Sequence, residues 1–160
     1  MPGVGKSYWA EQIAAHYALQ CIDLDNIIEV RSGMSIGTFF ERFGEAEFRK
    51  LEQLTLTQIQ EVFSSNCIIA CGGGTPCFFD NLAKMKAKGK VIYLKANINF
   101  LVKNLEAEHQ KRPLLNNNNR QEEIAAILET RRSFYEQADF IVSAESLTVK
   151  YFQTIINALR

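Results

Sequence analysis

Gly3-Val4-Gly5-Lys6-Ser7 lies at the head of the chain and runs straight into a helix-forming stretch. No other run constrains the fold as strongly. Two glycines let backbone N–H groups turn inward, and the helix opening at Lys6 presents its positive end to the same point. Such a loop receives a phosphate group. The full pattern is Gly, four free residues, then Gly-Lys-Ser or Gly-Lys-Thr. Here its second half is complete, but the opening Gly falls one place before Met1, and no apolar strand feeds the loop. The expectation is that Met1 is an internal loop residue and that about ten further residues precede it in the natural chain (a mean strand plus flanks). Without that strand its two neighbours lack a hydrogen-bonding partner, so a chain starting at Met1 is expected to be poorly stable.

Strand and helix patterns alternate after the loop. Ser7–Leu19 has helical spacing, with Trp9, Ile13, Ala14 and Tyr17 on one side. Cys21–Asp25 reads as a short strand whose tip carries two acids on the same side. Asn26–Arg31 is a short helix stopped at Ser32-Gly33. Ser35 is a candidate N-cap for a helix over 36–43, and Gly44 ends it. Residues 45–64 read as a long helix with Phe48, Leu51, Leu54, Leu56, Ile59, Val62 and Phe63 as its apolar face. Cys67–Cys71 is a continuous apolar run before Gly72-Gly73-Gly74, the strongest buried-strand signal in the chain. A helix over 80–87, a strand over 91–94 and a helix over 99–108 follow. Residues 109–119, with four consecutive asparagines, read as a mobile loop. A helix over 120–137, a strand over 140–142 and a helix over 148–159 complete the chain. Strands alternating with helices give an α/β layer sandwich with a parallel sheet, whose ligands bind beyond the carboxyl ends of the strands.

Composition excludes several roles. Eighteen basic residues balance eighteen acidic ones, so no global field favours nucleic acid or an anionic membrane. Lys84, Lys86, Lys88 and Lys90 read as a solvated helix end rather than a binding patch. No run approaches the ~20 apolar residues of a membrane span. Cys21, Cys67, Cys71 and Cys77 form no Cys-x-x-Cys pair and lie far from His16 and His109, so zinc is not expected. The cysteines read as reduced, with Cys21, Cys67 and Cys71 acting as small buried hydrophobes.

Several residue sets can carry chemistry, each beside a plainer reading. Lys6 offers a point charge to β and γ phosphates and Ser7 a hydroxyl ligand for Mg2+; the plainer reading is a Gly-rich turn that opens a helix. Asp23 and Asp25 present carboxylates at a strand tip, or cap the next helix. Arg49 and Glu52, three apart, form either a surface ion pair or part of a site. The glycine triplet implies close approach of another group to the backbone.

Taken in order, these segments resemble the shikimate kinases, of the nucleoside-monophosphate-kinase-like P-loop fold. The matching runs are Gly-Val-Gly-Lys-Ser (3–7), Asp-Leu-Asp (23–25), Gly-Met-Ser-Ile (33–36), Phe-x-x-x-Gly-Glu-x-x-Phe-Arg-x-x-Glu (40–52), Gly-Gly-Gly (72–74), Arg-Pro-Leu-Leu (112–115) and Arg-x-x-x-Tyr (131–135). The resemblance implies a three-layer sandwich with strand order 2-3-1-4-5, strand 1 missing from this chain. It implies one domain over 1–160, with substrate-binding helices at about 26–64 and a lid at about 109–119. It implies transfer of the ATP γ-phosphoryl group to the 3-hydroxyl of shikimate, toward chorismate and the aromatic amino acids, by a cytoplasmic, Mg2+-dependent monomer.

By position, the resemblance implies that Asp25 binds the reacting hydroxyl and takes its proton. Arg49 and Arg131 hold the shikimate carboxylate, Glu52 orients Arg49, and Gly73 and Gly74 pack on the substrate. Phe40 and Phe48 line its ring. Gly3, Val4, Gly5, Lys6, Ser7 and Tyr8 bind ATP, Arg112 swings in from the lid onto the transferring phosphate, and Asp23 holds Mg2+ through water. Cys71 stands where the family usually has Ser or Thr, and Leu105 where it often has an adenine-stacking Arg. The alternatives are a same-fold kinase such as one for gluconate, or an N-terminally incomplete nucleotide-binding protein without catalysis.

Overall fold

The computed structural model describes residues 1–63, 66–109 and 120–157. The chain divides into two compact units, one made of 6–89 and the other of 1–5 with 90–160.

In the first unit, α1 (Lys6–Tyr17) buries Ala10, Ile13 and Ala14 and is followed by β1 (Gln20–Asp23). Helix α2 (Leu24–Ser32) starts directly on the strand, because the Asp23 side chain accepts a hydrogen bond from the Asn26 N–H at 3.1 Å. Gly33, in the left-handed region at φ 68°, closes that helix through its N–H to the Glu29 carbonyl. The Ser35 hydroxyl caps α3 (Ile36–Val62) by accepting from the Thr38 N–H at 3.2 Å. Gly44 leaves helical geometry (φ 77°, ψ 171°), so α3 is two helices joined at a kink, as the spacing predicts. Strand β2 (Cys67–Ala70) pairs parallel with β1, Gln20 opposite Cys67 and Asp23 opposite Ala70. A 3₁₀ turn (Thr75–Cys77) and α4 (Asn81–Lys88) follow. Ile22, Leu24, Ile28, Phe48, Leu56 and Ile59 form the core between α2, α3 and the strands.

In the second unit, β3 (Ile92–Lys95) leads into α5 (Ile98–His109), and α6 (Arg120–Tyr135) leads into β4 (Phe140–Ser143). β3 and β4 pair parallel, Ile92 opposite Phe140. A 3₁₀ turn (Ala144–Ser146) precedes α7 (Tyr151–Asn157), which starts after the expected position 148; the expected end at 159 lies outside the described residues. The two parallel pairs are separate two-stranded sheets among the described residues.

Four sequence expectations need correction. Asp25 lies in the first turn of α2, not at a strand tip, because capping by Asp23 starts the helix two residues earlier than Asn26. Cys21 is exposed, pointing away from the face that buries Ile22. Leu54 and Val62 are exposed too, at 55% and 72%, so the buried stripe of α3 is narrower than its apolar pattern. Cys67, Ile68 and Ile69 are only half-buried, although they belong to the most apolar strand.

Candidate active site

The chemistry-bearing side chains of the 6–89 unit collect where β1 and β2 end and α2, α3 and the glycine triplet meet. The starting point is Glu52. Its side chain is fully buried on α3, the neighbouring Arg49 nearly so, and the two are joined Nη1 to Oε2 at 2.9 Å. An ion pair three residues apart on a solvated helix is worth only a few tenths of a kcal/mol. Here both partners are out of water, where loss of one leaves an uncompensated charge. The plainer reading of this pair as a surface bridge is therefore set aside by burial.

Arg49 is held on every side. Its Nε and Nη2 donate to Glu45 Oε1 at 3.1 and 2.8 Å, and Glu45 is half in solvent. The guanidinium carbon stands 4.3 Å from the ring centroid of Phe78, 5.1 Å from Phe48 and 5.9 Å from Phe40. Phe40 and Phe48 themselves pack at 4.5 Å. Gly74 closes the remaining side. A Cβ there would come within 2.6 Å of both Nη1 and Nη2, so only glycine fits beside the guanidinium as it stands.

The second cluster is acidic. Asp25, half-buried, and Glu52 both approach Gly72, where a Cβ would lie 3.1 Å from Asp25 Oδ1 and from Glu52 Oε1. Burial, first, and then the charges of Asp23 and Glu52 raise the Asp25 carboxyl above its ordinary value, while Lys6 pulls it back. An acceptor raised in this way holds a transferred proton better than an ordinary carboxylate does. Burial and the same carboxylates push the Cys71 thiol to about 12, which keeps it protonated and unreactive.

The third cluster is the loop. Lys6 and Ser7 open α1, and Ser7 Oγ donates to Asp23 Oδ2 at 2.6 Å. Hydroxyl and carboxylate together are hard oxygen donors of the kind Mg2+ accepts beside phosphate oxygens. Among the described residues no three His, Cys, Asp or Glu side chains cluster as a metal cage. Gly3 sits at φ 71°, and a Cβ on it would stand 2.8 Å from Leu105 Cγ and 2.9 Å from the Leu101 carbonyl oxygen. The Gly3 carbonyl accepts from Asn104 Nδ2 at 2.7 Å. Val4 is buried, Gly5 takes φ 81°, and Tyr8 is exposed with its ring edge-on to Trp9. Arg131 belongs to the other unit, on α6; of the lid expected at about 109–119, residues 110–119, Arg112 among them, lie outside the described residues.

Residues 2–160 match the family described as shikimate kinase. The chain belongs to the shikimate kinase family. These are phosphotransferases that use ATP as co-substrate. The shikimate kinase of Parabacteroides distasonis is 37% identical over 161 residues, covering 98% of this chain and 92% of that one. The shikimate kinase of Bacteroides thetaiotaomicron is 36% identical over 91% of this chain and 83% of its own. A crystal structure of a Bacteroides thetaiotaomicron shikimate kinase superposes with a TM-score of 0.88 at 33% identity, over 97% of this chain and 93% of that one. An Acinetobacter baumannii shikimate kinase in complex with shikimate superposes at 0.84, with 26% identity and coverage of 98% and 90%. The shikimate kinase family fixes the α/β P-loop kinase fold for the chain as well.

Sequence reasoning missed three residues of this site: Thr75, Phe78 and Glu45. Thr75 Oγ1 donates to Glu52 Oε1 at 2.6 Å and is wholly buried. Glu45 had a legible signal, since it lies four residues before Arg49 on one helix face. Phe78 had none, because it reaches Arg49 only through the turn that follows the glycine triplet.

Proposed function

We propose that the cluster around Arg49, Glu52 and Asp25 is the shikimate site of an ATP-dependent kinase that phosphorylates the 3-hydroxyl. Arg49 and Arg131 take the substrate carboxylate, and Glu52 orients Arg49. Asp25 accepts a hydrogen bond from the reacting hydroxyl and takes its proton. Gly73 and Gly74 pack on the substrate, and Phe40 and Phe48 face its ring. Gly3, Val4, Gly5, Lys6, Ser7 and Tyr8 bind ATP, with Arg112 joining from the lid. Ser7 and Asp23, the latter through water, would hold Mg2+, which when bound neutralises phosphate charge. The protein works in the cytoplasm as a monomer and needs neither nucleic acid nor membrane. Among the described residues no helix is long and apolar enough to cross a membrane.

The observation that carries this reading is a guanidinium buried among aromatic rings and bonded to Glu52, whose other oxygen shares the approach to Gly72 with the half-buried Asp25 carboxylate. A small hydroxylated carboxylate needs both: a charged fork for its anion and a proton acceptor for its nucleophilic oxygen. The Nε–Nη2 edge of Arg49, held by the half-exposed Glu45, is the edge on which a substrate carboxylate would replace it. The test is a coupled ADP-release assay with shikimate, gluconate and nucleoside monophosphates as acceptors. Turnover with shikimate alone, and a KM for shikimate raised at least tenfold by Arg49→Ala, is expected. Turnover with gluconate instead, or ATP binding without transfer to any acceptor, overturns the reading.

A further inference from the structure

We infer that Thr75 is a positioning residue of the shikimate site: its buried hydroxyl fixes Glu52, and through Glu52 the direction in which Arg49 meets the substrate carboxylate. This rests on the proposed role of Arg49.

The geometry is a chain of buried polar contacts. Asn81 Nδ2 donates to the Thr75 carbonyl oxygen at 2.9 Å, Thr75 Oγ1 donates to Glu52 Oε1 at 2.6 Å, and Glu52 Oε2 accepts from Arg49 Nη1 at 2.9 Å. Glu52, Thr75 and Asn81 are fully buried and Arg49 nearly so. A carboxylate in such a place is free to rotate about its last bond unless both oxygens are engaged. Arg49 engages Oε2 and the Thr75 hydroxyl engages Oε1. With one donor removed, the buried Oε1 has no water to replace it. The carboxylate then turns or shifts, and the guanidinium bonded to it follows.

Thr75 also sits where the glycine triplet turns into the 3₁₀ segment. Its N–H reaches the Gly72 carbonyl at 3.2 Å, and the Cys77 N–H reaches the Gly74 carbonyl at 2.8 Å. Gly74 is the residue whose backbone lies against the Arg49 guanidinium. One side chain therefore ties the turn that walls Arg49 to the carboxylate that aims it. A mere packing role would be filled equally well by valine, which has the same shape without the donor.

The test compares Thr75→Val with Thr75→Ser, each assayed for KM and kcat with both substrates. For Thr75→Val the KM for shikimate is expected to rise about tenfold, with the KM for ATP within about twofold of the parent. Thr75→Ser restores the shikimate KM to within about threefold. With a shikimate analogue lacking the carboxylate, parent and Thr75→Val are expected to show equal kcat/KM, because the anion that Arg49 aims at is gone. Equal loss with both acceptors, equal rises in both KM values, or a Thr75→Val enzyme identical to the parent each overturns the inference. Should Thr75→Val not fold, Thr75→Ser against Thr75→Cys decides it, since they differ only by oxygen and sulfur. A raised shikimate KM in the cysteine variant alone supports the inference, and equal values overturn it. Arg49→Ala separates the two levels. If Arg49→Ala leaves the shikimate KM unchanged, the site assignment fails; if it raises KM and Thr75→Val does not, only the role of Thr75 fails.

Discussion

Gly74→Ala isolates the close approach on which the substrate site depends. Gly74 has φ −82° and ψ −21°, a conformation alanine adopts freely, so the backbone places no penalty on the change. The three nearest atoms to the new Cβ all belong to the Arg49 guanidinium, at 2.6, 2.6 and 2.7 Å. Non-bonded heavy atoms settle at about 3.5–4.0 Å, so the guanidinium must retreat by roughly 1 Å. It cannot do so while keeping its 2.9 Å bond to Glu52 and its place over Phe78. Weakening one charge-assisted hydrogen bond removes about 1.5–3 kcal/mol. At about 1.4 kcal/mol per factor of ten, kcat/KM for shikimate is expected to fall roughly 10- to 100-fold, mostly in KM. Stability should fall too, because the weakened Arg49–Glu52 bond is part of the folded free enzyme. Each kcal/mol lost would lower Tm by about 2–4 °C in a domain of this size. The measurement is steady-state kinetics on Gly74→Ala, Arg49→Ala and the double variant. In the Arg49→Ala background the three atoms nearest the added methyl are gone, and it should have little further effect. Losses that simply add in the double variant would refute the claim that Gly74 acts through Arg49.

Asp25→Asn should lose most activity yet unfold at higher temperature at pH 8. Because the folded-state pKa of Asp25 is raised, the native state holds that proton more tightly than the unfolded chain. Stability therefore falls as pH rises through the raised value, and the penalty is absent below the ordinary carboxylate range. The stabilising effect of the asparagine should vanish there, and a Tm difference independent of pH would contradict the assignment. In the parent enzyme the acid limb of kcat/KM should lie above the ordinary carboxylate range, and Asp25→Asn should lack that limb. Glu52→Ala leaves Arg49 buried without its closest partner and should lower the unfolding free energy by about 3–5 kcal/mol in urea. An effect below about 1 kcal/mol would mean the pair behaves as a solvated one. Cys71, with its thiol held near 12, should resist alkylation in the native protein and react once urea unfolds it. Peptide mass spectrometry showing native labelling of Cys71 as fast as that of exposed Cys21 would refute this.

Most element starts and stops were legible because they rest on local chemistry. Ser35 caps α3 and Gly33 ends α2, both through side chains or conformations that act within four residues. The helix at Lys6 and the kink at Gly44 follow from the same short-range rules. Asp25 is not legible as a helix residue because two signals compete over 23–25. Alternation favours continuing the strand, while the carboxylate of Asp23 captures the Asn26 N–H and begins a helix. The exposure of Leu54 and Val62 could not be read from periodicity, because an apolar stripe says which side is apolar and not how far a neighbour covers it.

By itself the sequence determined the alternating α/β pattern, the phosphate-binding loop, and the order of segments that resembles the shikimate kinases. These depend on residue types at fixed spacing, and spacing survives in a string of letters. Tertiary structure alone decided that Arg49 and Glu52 are buried, that Phe78 lies over the guanidinium, and that Thr75 holds the second oxygen of Glu52. The reason is dielectric. Two charges three residues apart are nearly worthless in water and decisive out of it. Whether water is present depends on what the turn after Gly74 brings against α3, more than twenty residues away in the chain.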